Sequence, residues 1–104
     1  MTLEEIKRGE NAHLEFKREV PDKKESVLKT VSAFSNTSGG KIIFGVDDKS
    51  LVVTGIQGDI FKLMDGIINS ISDSLEPLIS PAINAETIDG KTVIVLEVFP
   101  TNFT

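Results

Sequence analysis

Two short segments of the chain carry the side chains that could do chemistry. In the first, residues 10–17, the carboxylates of Glu10 and Glu15 lie five positions apart across a predicted loop-to-strand junction. Both could project to the same side if the loop turns. The second segment, residues 33–48, joins a helix end, a glycine turn, an apolar strand and the acidic pair Asp47-Asp48 without a gap. Carboxylates are the ligands that Mg²⁺ and Mn²⁺ prefer.

Each of these features also has a purely structural interpretation. Gly39-Gly40 is typical of a helix stop followed by a tight turn. Asp47-Asp48, followed by a lysine and a serine, has the composition of a turn. Glu15 and Lys17 can form the solvated face of a strand. His13 is the one histidine in the chain, and a metal site needs clustered ligands.

A nucleotide-binding phosphate loop is excluded by the order of the elements. Such a loop needs G-x-x-x-x-G-K-[ST] between a strand and a following helix, so that backbone N–H groups face the phosphates. Here a predicted helix precedes Gly39-Gly40 and a strand follows, and Lys41 is followed by Ile42 rather than by a hydroxyl residue. Bound ATP is therefore not expected.

Composition and charge narrow the class of protein. The chain has 104 residues, no cysteine and a formal net charge of −5, which argues against a general phosphate-binding surface. A nucleic-acid contact would have to use a local basic patch. No run of residues has the length and apolarity of a membrane span, and the first residues lack a signal-peptide pattern, so a cytoplasmic location without membrane association is expected.

Hydrophobic periodicity predicts an α/β (α+β) fold in which two helices pack on a mixed β-sheet. After a short helix at 3–8, capped by Thr2 and Glu5, the main elements follow the order β-α-β-β-α-β-β. They are predicted at 13–20, 23–35, 41–46, 51–54, 60–75, 83–88 and 92–99. Asp22 and Asp59 are the predicted N-caps of the two long helices, Pro77 and Pro81 close the second of these, and Asp89-Gly90 predicts a type I′ hairpin turn.

Strand edges raise the question of self-association. The predicted strands at 51–54 and 92–99 could each lie at an edge of the sheet, where unpaired backbone groups can pair with a second copy. A homodimer is therefore expected.

The two segments together resemble the Schlafen AlbA-like domain, also called the divergent AAA domain of transcriptional regulators. The resemblance covers residues 9–56. It rests on Glu10, on Glu15-Phe16-Lys17, on the run from Ala33 through Gly39-Gly40, on Gly45-Val46-Asp47-Asp48 and on Gly55-Ile56. It implies that residues 1–104 form a single domain, expected to be an N-terminal fragment of a longer regulator.

The resemblance implies a DNA-binding or other nucleic-acid-binding module of a bacterial transcriptional regulator, and the leading interpretation is that the module is not catalytic. Its expected contacts are the polar and basic residues nearest the matched segments: Lys17, Arg18, Asn36, Ser38, Lys41 and Lys49. Two alternatives stay open. One is a metal-dependent ribonuclease, since some eukaryotic relatives cleave RNA with three carboxylates; these would correspond to Glu10, Glu15 and one of Asp47 or Asp48, holding Mg²⁺ or Mn²⁺. The other is a dimerisation or protein-interaction module. No cofactor is expected outside the ribonuclease alternative.

Overall fold

The computed structural model describes residues 1–75 and 79–101, which form three helices and one four-stranded sheet. In chain order the elements are α1 (Leu3–Lys7), β1 (Leu14–Lys17), α2 (Glu25–Ser35), β2 (Gly40–Phe44), α3 (Ile60–Ser74), β3 (Ala82–Ile88) and β4 (Lys91–Val98). The strands lie in the spatial order β1-β2-β4-β3. β1 and β2 are parallel, whereas β4 runs antiparallel to both of its neighbours. The predicted α/β class with a mixed sheet is confirmed.

The two long helices pack on one face of the sheet, as their periodicity predicted. Ile42 and Phe44 of β2 contact a buried cluster that includes Val31 of α2 and Ile67 of α3. The other face is covered by α1, whose Ile6 is fully buried in a second cluster with Phe16, Ile43 and several valines. β2 is therefore buried on both faces, which explains its continuous apolar run.

Local signals at the other elements are largely confirmed. Thr2 accepts a hydrogen bond from the Glu5 amide at 3.2 Å and caps α1, and Asp59 accepts one from the Lys62 amide at 3.1 Å and caps α3. Asp89 and Gly90 both have positive φ, 53° and 73°, as a type I′ turn requires. The predicted role of Pro77 falls outside the described residues.

Three sequence predictions are wrong. Residues 51–54 make only an isolated bridge between Val53 and Val46, because Leu51 turns the chain with a φ of 63°. The strand predicted at 92–99 is not an edge: β4 lies between β2 and β3. α2 begins later than predicted, with Lys24 at its N-cap and no side-chain cap, so Asp22 does not cap it.

The two sheet edges are β1 and β3, and the β1 edge is covered. The backbone N–H and C=O of Leu14 are both hydrogen-bonded to Asn11, and the Phe16 N–H donates to a carboxylate oxygen of Glu10 at 2.8 Å. These bonds use groups that a pairing strand would need. A homodimer formed by edge pairing stays a prediction, and β3 is the edge that these contacts leave for it. In the described part of the chain, no helix is both long and apolar enough to cross a membrane.

Candidate functional site

The parallel pairing of β1 with β2 brings the ends of the two chemistry-bearing segments together. Lys17, the last residue of β1, pairs with Phe44, the last residue of β2. The Lys17 carbonyl then accepts hydrogen bonds from the amides of Gly45 and Val46, at 2.7 and 3.3 Å. We call this end of the sheet, formed by residues 17–20, 45–50 and 54–57, the carboxyl edge. Ligands commonly bind at such an edge in sheets with parallel strands.

Asp47 organises the carboxyl edge. One of its carboxylate oxygens accepts hydrogen bonds from the amides of Lys49 and Ser50, at 2.9 and 3.0 Å, and closes a turn. The other accepts a hydrogen bond from the guanidinium of Arg18 at 3.0 Å. The amides of Ser50 and Lys49, and then Arg18, lower the pKa of Asp47 below its ordinary value. Asp47 therefore has well-defined structural partners.

The lowered pKa of Asp47 predicts a pH-dependent contribution to stability. A carboxyl with a depressed folded-state pKa stabilises the fold above its unfolded value of about 3.9 and loses that contribution as the pH falls through the folded value. Asp47→Asn should therefore be less stable than the parent chain near neutral pH, and the difference should shrink below about pH 4. Urea unfolding at several pH values measures it, with the exposed neighbour Asp48 changed to Asn as control. A difference that is independent of pH would contradict this role.

Glu15 and Lys17 point towards α2 and join β1 to it. Glu15 accepts a hydrogen bond from the Thr30 hydroxyl at 3.0 Å and lies 3.5 Å from the Lys17 ammonium. Lys17 also donates to the Ser26 hydroxyl at 3.2 Å. Both side chains are partly shielded, with exposed fractions of 33% and 19%. They form a bridge between two elements rather than the freely solvated strand face that the sequence allowed.

The three carboxylates proposed for metal binding are engaged by separate partners. Glu10 caps the β1 edge, Glu15 contacts Thr30 and Lys17, and Asp47 closes its turn and binds Arg18. Glu10 and Glu15 do line one cavity of about 510 Å³ beside α2, but Asp47 does not. Among residues 1–75 and 79–101, no three acidic or histidine side chains lie close enough to hold a metal ion. This arrangement does not fit a Mg²⁺ or Mn²⁺ site.

The six residues predicted to contact nucleic acid fall into two groups. Lys17, Arg18 and Lys49 lie at the carboxyl edge, where Arg18 and Lys49 are exposed. Asn36, Ser38 and Lys41 lie at the opposite end of β2, beside the end of α2. There the Ser38 hydroxyl lies 3.3 Å from His13 Nδ1, which in turn is 3.1 Å from the Gly39 carbonyl. The length of β2, roughly 13 Å, separates the groups, so they do not form a single compact patch.

Sequence reasoning missed a cavity of about 320 Å³ at the carboxyl edge. It is lined by Arg18, Glu19 and Val20 after β1, by the loop 54–57, and by Leu63 in the first turn of α3. Gly55-Ile56 was singled out in the sequence, but nothing local showed that these residues form a wall beside Arg18. The one sequence signal for this wall was that Gly55-Ile56 belongs to the family pattern.

Comparison with known proteins agrees with this architecture. The chain is 37% identical over 82 residues to an uncharacterized ATP-binding protein of Ureaplasma parvum; the matched part is 78% of this chain and 22% of that protein. The N-terminal domain of a RecG-related protein from Nitrosomonas europaea, named after an ATP-dependent DNA helicase, superimposes with a TM-score of 0.70 at 22% identity, over 96% of this chain and 71% of that one. The DIP2311 protein of Corynebacterium diphtheriae matches with a TM-score of 0.61 at 25% identity, over 86% and 21%.

The fold thus defines an α+β domain like the N-terminal domain of the Nitrosomonas protein. Residues 10–104 match the family described as Schlafen, AlbA_2, and the chain belongs to that family. It spans about a fifth of the length of its Ureaplasma relative.

Proposed function

We propose that this chain is a nucleic-acid-binding module that contacts phosphates through its carboxyl edge. The observation that carries the proposal is the grouping of three cations at the carboxyl ends of two parallel strands: Arg18 and Lys49, which are exposed, and Lys17, whose ammonium also contacts Glu15 and Ser26. The Arg18 side chain is 64% exposed although Asp47 holds one of its nitrogens. A guanidinium has five N–H donors, so others stay available for a phosphate.

The names of similar proteins support a nucleic-acid role in general terms, because one of these proteins is named after a DNA helicase. A DNA-binding part of a transcriptional regulator is the specific form that we propose. The domain would act by binding alone, since each of the three family carboxylates is engaged by its own partners and Asp47 lies outside the cavity that Glu10 and Glu15 line. The ribonuclease alternative gains no support from that geometry.

Charge limits the strength of this interaction. The chain has a net charge of −5, and Glu19, Asp47 and Asp48 lie at the same edge as the three cations. Repulsion between these carboxylates and phosphates offsets part of the attraction of Lys17, Arg18 and Lys49. We therefore expect weak binding by this chain, with an affinity that depends on a few local contacts.

The test is fluorescence anisotropy with labelled single- and double-stranded DNA and RNA over a range of salt concentrations. Release of counterions by three phosphate contacts predicts a slope of about −2.7 in log K against log salt on duplex DNA, and Arg18→Ala or Lys49→Ala should each reduce it by about one. Lys29→Ala, an exposed lysine on α2, is the matched control. Lys41→Ala reports whether the group at the other end of β2 contributes. Binding at micromolar concentration that does not change with salt would overturn the proposal.

A further inference from the structure

The cavity at the carboxyl edge has the size of a small binding site; of its lining, only Arg18 takes part in the phosphate contacts just proposed. Its volume of about 320 Å³ lies at the lower end of the range of small-molecule pockets, about 300–1,000 Å³. It lies between the segment that follows β1 and the loop that leads into α3. Such a volume suits one flat ring with its sugar rather than an extended ligand.

The wall of the cavity is held in place by backbone hydrogen bonds. The Gly45 carbonyl accepts bonds from the amides of Thr54 and Gly55, at 2.8 and 3.0 Å, and the Thr92 carbonyl accepts one from Ile56 at 2.8 Å. Gly55 has a φ of 78°, and a Cβ on Gly45 would lie 3.3 Å from the Gly55 backbone. The two glycines let the loop lie directly against the end of β2, so the cavity is preformed, and a preformed site spends less free energy on ordering when a ligand binds.

The lining combines three aliphatic side chains with polar ones. Val20, Ile56 and Leu63 are half-buried and pack partly against the core, whereas Arg18, Glu19 and Gln57 are exposed. Aliphatic side chains can pack on the face of a base. The Gln57 amide both donates and accepts hydrogen bonds, and the Glu19 carboxylate accepts them, so the pair can meet the mixed donors and acceptors of a base edge.

The charges around the cavity favour a ligand with a single phosphate group over a triphosphate. The Arg18 guanidinium can pair with a phosphate through the nitrogens that Asp47 does not use. Glu19 and Asp47 place negative charge beside it, which disfavours a triphosphate far more than a single phosphate. No glycine-rich phosphate loop is involved in this arrangement.

From these observations we infer that the cavity binds one nucleotide unit, with the base between Val20, Ile56 and Leu63 and one phosphate on Arg18. The inference rests on the proposed function and deepens it, because it assigns a base-binding pocket to a surface that would otherwise contact only phosphates. It also gives Gly55-Ile56 a role: these residues form the wall against which the base lies. The unit can come from a nucleic-acid strand or from a free nucleotide, and the recognition chemistry is shared.

Amide NMR spectra of the ¹⁵N-labelled chain test the inference. AMP and a short single-stranded oligoadenylate should both shift the signals of Val20, residues 54–57 and Leu63. Ribose 5-phosphate, which lacks the base, should shift them less. Arg18→Ala should weaken AMP binding about tenfold, the effect of one charge-assisted hydrogen bond. Gln57→Ala should weaken AMP more than ribose 5-phosphate.

Two control variants test whether the effect of Arg18→Ala on AMP binding arises in the cavity itself. Asp47→Asn removes the ion pair but keeps the guanidinium, so AMP binding should persist, which excludes loss of the turn as the cause of the Arg18 effect. Lys29→Ala, an exposed lysine on α2 outside the lining of the cavity, should leave AMP binding unchanged. Shifts with the oligonucleotide alone assign the unit to a strand, and shifts with AMP alone assign it to a free nucleotide.

The two proposals fail in different ways. An oligonucleotide that binds with shifts away from residues 18–20 and 54–57 overturns the pocket and leaves the nucleic-acid function standing. Absence of shifts with all three ligands, in a chain whose spectrum shows that it is folded, overturns the pocket, and the nucleic-acid function falls only if the anisotropy with DNA and RNA is also unchanged.

Discussion

Gly39→Ala is expected to destabilise the domain by about 3 kcal/mol, from two separate costs. Gly39 has a φ of 84°, in the left-handed region where a side chain costs about 1–2 kcal/mol. A Cβ at this position would also lie 2.7 Å from the carbonyl oxygen of Val98, which is backbone and belongs to a central strand. That contact cannot be relieved by rotating a side chain, so either the turn or β4 must move.

Gly90→Ala is the matched control for Gly39→Ala. Gly90 has a similar φ of 73°, but a Cβ there would meet no atom within 4 Å. Gly90→Ala should therefore show the conformational cost alone, about 1–2 kcal/mol. Urea unfolding of the two variants, compared at equal m-value, isolates the steric part as the difference between them. Equal losses would mean that β4 yields easily, and the packing of the glycine turn against Val98 would then not matter for stability.

Phe44→Ala is expected to cost about 3–5 kcal/mol, a large part of the stability of a domain of this size. Phe44 is fully buried at the end of β2 and packs in the cluster shared by the sheet, α2 and α3. Its removal loses the transfer free energy of the ring and leaves a cavity, because rigid strands on both sides of β2 prevent collapse.

Phe61→Ala provides the comparison for Phe44→Ala. Phe61 is 77% exposed on α3, so the same change should alter the free energy of unfolding by no more than about 0.5 kcal/mol. If Phe44→Ala does not fold, Phe44→Leu keeps most of the volume and should still lose about 1.5 kcal/mol. Similar effects at positions 44 and 61 would contradict the described core.

Elements with strong local signals were predicted well from the sequence. The 3- and 4-residue spacing of isoleucines located α3, and Asp59 located its start, because both signals act within a few residues along the chain. The strand predicted to begin at Leu51 was wrong because it, too, was predicted from local residue types alone. Its β-rich neighbourhood favours a strand, but the hydrogen bonds that Thr54 and Gly55 donate to Gly45 close a loop instead.

The sequence predicted which residues belong to the candidate site, but not which of them contact one another. Arg18 and Asp47 were both singled out, yet 29 positions separate them and nothing in the sequence pairs them. Glu10 was assigned to a possible metal site because of its type and position. In the structure its carboxylate accepts the Phe16 amide at the free edge of β1. The first outcome depends on the parallel pairing of β1 with β2, and the second on a backbone N–H that β1 leaves unpaired, so only the paired sheet shows either of them.

Residue types and short-range spacing were enough to predict the order of helices and strands apart from the strand at 51–54, the burial of β2 on both faces and the family pattern. Tertiary structure alone decided that β1 lies parallel to β2. That pairing places Arg18 beside Asp47, whereas the fold-back of the chain after β2 puts Gly55 against Gly45 and so forms a wall of the cavity. The physical reason is that strand pairing is selected by burial of both faces of the sheet at once, which sums contacts between residues that are distant in the chain.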